Sequence, residues 1–255
     1  MRRGLRGSSA ELLHKLHRRG PVFTFRDALE VSGYDRGYLK LVLHMLERGG
    51  WIERIERGKY VILPLEAEKG RYTLHEFVVG STLVEPSAIS YWSALHHHGL
   101  TEQIPNVVFV QTTSRKKRRE LTVLGTRYKI VRVVKRKFFG LKPLWIEDFK
   151  VYVTDREKTI IDCLDKPQYC GGVIEVYKAL REGGVDAGRL SKYLERFGSG
   201  AVAKRLAYLA KLAGLEIEMP SCLIKKGVVA LDPTMPKKGR VDRRLKLLVN
   251  VELRE

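Results

Sequence analysis

The chain has 255 residues, 44% of them apolar, and carries 48 Lys and Arg against 29 Asp and Glu, a formal net charge of +19. Enough apolar surface is present for a sizeable core in two or three domains, which excludes a disordered chain and a disulfide-stapled miniprotein. No stretch of about 18 apolar residues marks a membrane span, and Met1-Arg2-Arg3-Gly4 leads into a charged segment without a signal-type apolar run, so a cytoplasmic location and no membrane partner are expected.

Ser8-x-x-Glu11 reads as a capping box opening a helix over 9–19, with Leu12, Leu13 and Leu16 inward and Gly20-Pro21 as its stop. Thr24 and Asp27 cap a short second helix carrying Ala28 and Leu29 inward. Ser32-Gly33-Tyr34 turns the chain to Asp35, the cap of a third helix. At 100° per residue that helix places Tyr38, Leu39, Val42, Leu43, Met45 and Leu46 on one arc and Arg36, Gly37, Lys40, His44, Glu47 and Arg48 on the other. Gly49-Gly50 ends it, and strands over 51–55 and 60–63 flank Glu56-Arg57-Gly58-Lys59. Three helices and a basic-tipped hairpin predict a winged helix-turn-helix over residues 1–65. Its recognition helix would offer Tyr34, Arg36, Gly37, Lys40 and His44 to DNA, and its wing Arg54, Arg57 and Lys59.

Residues 66–71 read as a polar linker, and residues 72–255 as a larger mixed domain, giving an α+β protein overall. Within it, a helix is expected over 88–98, strands over 107–112, 127–134 and 150–154, and a helix opened by the capping box Thr154-x-x-Glu157. Mainly helical sequence follows to about 215, with helices near 173–182, 186–197 and 200–213. Terminal strands are expected over 221–253, the last returning to a sheet.

The positive charge is clustered. Residues 1–65 hold 13 Lys and Arg against 7 acids, and residues 114–137 hold 11 against Glu120 alone. A polyanionic partner is the expected consequence, with nucleic acid the commonest. In the second cluster Arg115, Lys116, Lys117, Arg118, Arg119, Arg127, Lys135, Arg136 and Lys137 form the candidate phosphate-binding patch, accompanied by Lys129 and Arg132. The chain has only two Asn and three Gln beside 30% charged residues, a balance found in proteins of hot environments.

Catalytic machinery is not legible. His96-His97-His98 lie about 100° apart on a helix and cannot converge on one metal; their place in a last turn suits the helix dipole instead. Asp155 and Glu157 are accounted for by the start of a helix, and Lys158 with Asp162 by an i,i+4 pair. Asp148-Phe149-Lys150 is a nuclease-like string without an upstream partner, and Gly80-Ser81 lacks the acidic dyad that a two-metal nucleotidyltransferase requires. Cys163, Cys170 and Cys222 show no zinc spacing and read as reduced thiols. No P-loop or GxGxxG is present. No catalytic residue, metal or cofactor is therefore assigned, and the chain is expected not to be an enzyme.

Four further blocks carry a resemblance: the run from Glu85 to Pro105 with Tyr91-Trp92-Ser93-Ala94-Leu95-His96-His97-His98-Gly99-Leu100 at its centre; Phe138-Phe139-Gly140; Asp155-Arg156-Glu157-Lys158-Thr159-Ile160-Ile161-Asp162-Cys163-Leu164-Asp165; and Tyr169-Cys170-Gly171-Gly172. With the N-terminal winged helix, these make the chain resemble the AbiEi family of type IV antitoxins over nearly its whole length. The resemblance implies a repressor that binds operator repeats in duplex DNA and controls its own operon. It also implies a C-terminal domain that counteracts a nucleotidyltransferase toxin without necessarily forming a stable complex. A metal-dependent nuclease using Asp148 and Lys150, and a stand-alone regulator without a toxin, are the alternatives.

Overall fold

The computed structural model describes residues 7–63, 74–220, 223 and 227–253. The expected linker at 66–71 and Cys222 lie outside them. At the N-terminus, α1 (Gly7–His17) buries Leu12, Leu13 and Leu16, and begins two residues before the expected start. The Thr24 hydroxyl accepts from the Asp27 N–H at 3.1 Å, while the Asp27 carboxylate accepts from the Thr24 N–H at 2.7 Å. This reciprocal cap opens α2 (Phe25–Ser32). Gly33, at φ 66°, ends α2 in a left-handed conformation that a side chain would strain. Asp35 then accepts from the N–H groups of Gly37 at 2.8 Å and Tyr38 at 3.0 Å to open α3 (Arg36–Arg48).

A short strand, β1 (Val22–Thr24), was not expected. Three residues cannot display an alternating pattern, and the strand exists through antiparallel pairing with β3 (Lys59–Ile62). With β2 (Ile52–Glu56) it makes a sheet in the order β1-β3-β2. The three helices bury Leu16, Ala28, Leu39 and Leu43 together with Phe23 and Ile52, in a core separate from those of the rest of the chain.

The second core region is organised by a six-stranded mixed sheet in the order β6-β7-β5-β4-β9-β8. Its strands are β4 (Ala88–Ile89), β5 (Val107–Thr112), β6 (Glu120–Val123), β7 (Thr126–Arg132), β8 (Leu141–Ile146) and β9 (Phe149–Thr154). Ala88 and Ile89 were expected to be helical. They pair with β5 and β9 instead, so that α5 (Tyr91–His97) starts after Ser90. One sheet face packs on α4 (Glu76–Thr82), where a Cβ on Gly80 would lie 3.2 Å from both Tyr128 and Val110; glycine lets this helix sit close to the strands. The other face, through Phe109 and Val131, joins the core of α5, α6 (Arg156–Asp165), α7 (Val173–Arg181), α8 (Ala187–Phe197) and α9 (Gly200–Leu212).

Within the described part of the expected terminal span, the strands are β10 (Val229–Ala230), β11 (Arg240–Asp242) and β12 (Leu247–Val249), which form their own sheet in the order β10-β12-β11. Leu231 and Leu247 seal it against the helices. The α+β class read from the sequence holds, and the N-terminal order of helices and strands fits it.

Candidate nucleic-acid interface

Helix α3 buries Leu39, Val42, Leu43 and Leu46, an i, i+3, i+4, i+7 row that fills its inward arc. Tyr38 and Met45, expected on that arc, are instead 46% and 45% exposed, and Leu41 is 53% exposed. The four inner side chains already span the contact with α2 and β2, so residues at the arc's edge stay outside. Arg36, Gly37, Lys40, His44 and Arg48 are exposed. The Arg36 guanidinium lies 5.8 Å from the Phe25 ring centroid, at the start of the helix. Tyr34 meets Tyr38 edge to face, with ring centroids 4.9 Å apart.

The β2–β3 hairpin divides its cations. Arg57 and Arg54 are exposed, and the Arg54 Nε donates to Glu56 O at 3.4 Å. Lys59 points the other way: its Nζ donates to Thr82 O at 2.7 Å and Leu83 O at 3.3 Å, at the end of α4. Burial, and then the nearby Lys116, push the Lys59 ammonium below its ordinary pKa. Lys116 converges on the same place, donating to Leu83 O at 2.6 Å and pairing with Glu56 at 3.0 Å. Two ammonium groups, one carboxylate and two helix-end carbonyls therefore join the hairpin to the six-stranded region. His17, at the end of α1, meets Phe149 of β9 edge to face with centroids 6.4 Å apart, a second contact of the N-terminal helices and hairpin with the six-stranded region.

The rest of the 114–137 cluster is similarly divided. Lys129 pairs with Glu120. Lys137 pairs with Asp165 at 2.8 Å and lies 4.3 Å from the Phe197 centroid. Arg132 donates through Nε to Thr113 O at 3.4 Å. Arg115, Lys117, Arg118, Arg119, Arg127, Lys135 and Arg136 are exposed. Arg118, Arg127 and Lys129 line a cleft of about 380 Å³ at the β6–β7 edge, closed by Gln168 and Tyr169.

The suspected catalytic strings resolve into structure. Helix α6 is capped by Asp155, not by Thr154, whose hydroxyl is turned to Thr159 at 2.7 Å. Asp155 accepts from the Lys158 N–H at 2.8 Å and from the Tyr193 hydroxyl at 2.7 Å; burial first, then this bond, raises the Tyr193 phenol to about 12. Glu157 accepts from the Asp186 N–H at 2.9 Å and faces Arg189 at 3.3 Å. The Lys158–Asp162 pair forms as expected but is wholly enclosed, with the ammonium 5.1 Å from the Phe139 centroid. Burial raises the Asp162 carboxyl while Lys158 opposes the rise.

Of the three histidines, His98 bonds Thr154 O at 2.7 Å and His97 packs edge-on against Phe77. Asp148 and Lys150 line a groove of about 560 Å³ with His17, Arg18, Arg19 and Trp145, in which Asp148 is the single carboxylate among the described residues. Among the described residues no group of three or more His, Cys, Asp or Glu converges as a metal site. Cys163 and Cys170 are free and buried. No helix among the described residues is long and apolar enough to cross a membrane.

The exposed Tyr38, Leu41 and Met45 are the residues that sequence periodicity misplaced or passed over. The available signal was the narrowness of the i, i+3, i+4, i+7 row, which leaves room for four inward side chains and not six.

No curated protein matches the chain. Among solved structures, the RV2827C protein from Mycobacterium tuberculosis is similar, with a TM-score of 0.64 and 15% identity over 97% of this chain and 92% of that one; at this identity the likeness is one of fold. Residues 11–62, which contain the capped α2–α3 unit and its hairpin, match the family described as "Transcriptional regulator, AbiEi antitoxin", so the family resemblance read from the sequence is met in the N-terminal region.

Proposed function

We propose that the protein is a DNA-binding transcriptional regulator of the AbiEi antitoxin type, in which residues 1–65 are a winged helix-turn-helix, α3 is the recognition helix and the β2–β3 hairpin is the wing. The observation that carries this reading is the exposed basic row of Arg36, Lys40, His44 and Arg48 on a helix whose inner face is fully packed, inside the segment that matches the regulator family. Arg36 and Lys40, near the N-terminal end, take guanine edges; Gly37 between them allows close approach of the backbone. Arg54 and Arg57 meet phosphate or a minor groove. Lys59, tied to the end of α4, positions the wing and does not touch DNA.

Residues 72–255 form the antitoxin part, which counteracts a nucleotidyltransferase-type toxin while the winged helix represses the shared operon. The part is non-catalytic and requires no cofactor. Supporting this, the carboxylates of α6 are engaged in capping and pairing, and among the described residues the groove holding Asp148 has no second acid. The exposed cations of 114–137 extend phosphate contact without selecting sequence.

The test is binding of the full chain to duplex DNA selected from a random library, titrated from 50 to 200 mM salt. With about four to six phosphates neutralised, log Kd should change with log salt with a slope of roughly 4 to 5. A flat plot, or no selected sequence, contradicts the reading. Co-expression with the product of a neighbouring toxin gene tests the antitoxin role, and failure to restore growth contradicts it.

A further inference from the structure

The outward side of α3 is not uniformly basic. Arg36, Lys40, His44 and Arg48 occupy one half, and Tyr38, Leu41 and Met45, spaced i, i+3, i+7, occupy the other, each 45% or more exposed. Tyr34 against Tyr38 prolongs this apolar row toward the N-terminal end of the helix. Leu41 stands close to the helix's outermost line, so whatever the helix enters must accept an isobutyl group beside its guanidinium and ammonium groups.

The following step rests on the proposed DNA reading. In the major groove, guanine, adenine and cytosine present mainly hydrogen-bonding atoms, and thymine alone adds a methyl group. Pressing Leu41 against a guanine or adenine N7 would strip that acceptor of water and give nothing back. Against a thymine methyl, the same side chain removes apolar surface from water on both partners. We propose that Tyr38, Leu41 and Met45 form a thymine-methyl reader, so that the preferred operator carries thymines opposite this row beside the guanines taken by Arg36 and Lys40.

A second copy of the chain is a poorer occupant. Face-to-face contact through α3 would bring two rows of Arg36, Lys40, His44 and Arg48 within a Debye length of each other, against only Asp35, which caps the helix, and the half-buried Glu47 on the same helix. The polyanionic duplex complements that row.

Replacing thymine by deoxyuracil removes the methyl and leaves every hydrogen-bonding atom in place. In duplexes selected by the full chain, single dT-to-dU replacements should weaken binding by roughly three- to fivefold at one or more positions. Leu41→Ala, at an exposed site, should retain binding and lose the difference between dT and dU there. Equal binding of dT and dU duplexes at every position, with sequence-selective binding intact, overturns the methyl reader and leaves the DNA reading standing. Persistence of the dU effect in both Leu41→Ala and Met45→Ala overturns the assignment to this row. Sedimentation that shows a dimer dissociated by Leu41→Ala, with dU sensitivity unchanged, gives the row to self-association. Absence of any selected duplex overturns the DNA reading, and the inference with it.

Discussion

Two regions carry most of the clustered charge, and they dispose of it differently. On α3 the cations face outward, and among the described residues none of them is in an ion pair, while across 114–137 and the adjoining hairpin some cations are held by partners and the others stay exposed. Lys116 is bound to Glu56 and Leu83 O, Lys129 to Glu120, and Lys137 to Asp165, and Lys59 is bound to Thr82 O and Leu83 O. Deeper still, Lys158 is enclosed with Asp162. A net charge counts these groups equally, yet an ammonium already holding a carbonyl and a carboxylate cannot reach a phosphate without first releasing both. Availability, set by partners distant in sequence, decides which cations can be functional.

Substitutions can break this contrast. The largest effect is expected from Asp162→Ala, which leaves the Lys158 ammonium buried without its partner and should cost about 3–5 kcal/mol in urea unfolding. Folded protein should keep its preference among DNA sequences, because nothing on α3 changes. A cost of under about 1 kcal/mol, the range of an exposed pair, would show that water reaches Lys158 and that the inward cations are not truly enclosed.

Neighbouring residues sharpen the comparison next. Lys116→Met should lower stability by about 1–2 kcal/mol, since Glu56 and Leu83 O are deprived of a charge-assisted bond, and should change DNA affinity less than about twofold. Lys117→Ala should do the reverse: stability unchanged, and operator and random DNA weakened alike. Thermal unfolding paired with DNA titration of the two variants checks this. Identical behaviour would mean that the hairpin does not hold to the end of α4 in solution.

A smaller effect is expected from pH. Burial lowers the His98 pKa, Arg156 also disfavours the charged ring, and the bond to Thr154 O only partly offsets both. His97 is lowered as well, by burial and by its neighbouring histidines. A histidine whose folded pKa lies below its unfolded value contributes stability above the unfolded pKa, near 6.5, and loses it as pH falls through the folded pKa. The unfolding midpoint should therefore decline between pH 7 and pH 5. His98→Gln should flatten part of that decline. A midpoint that rises on acidification would contradict the sign.

What the sequence made legible was local chemistry. Thr24 with Asp27, Gly33 and Asp35 place α2 and α3 because each acts on backbone groups within four residues. Strand β5 matches its expected span because a run of apolar β-formers needs no further information. Elsewhere the determinants are distant. Helix α4 has seven residues and is held by the sheet beneath it, β4 is a strand because β5 and β9 flank it, and β1 exists because β3 pairs with it. In the candidate interface, Arg36 and Lys40 were legible from the helical wheel, whereas the inward turn of Lys59 required Thr82 and Leu83, more than twenty residues away. The exposure of Tyr38 and Met45 was a matter of arc width, which periodicity alone sets too broadly.

The sharpest measurement is the specificity ratio, selected duplex over random duplex, for the full chain and for its Arg36→Ala/Lys40→Ala variant at one fixed salt concentration. Removing the bond to each guanine should cost about 1–3 kcal/mol of discrimination. If α3 reads the operator, the ratio falls at least about tenfold in the variant while the unfolding midpoint stays unchanged. An undiminished ratio with normal folding would show that α3 is not the element that reads DNA.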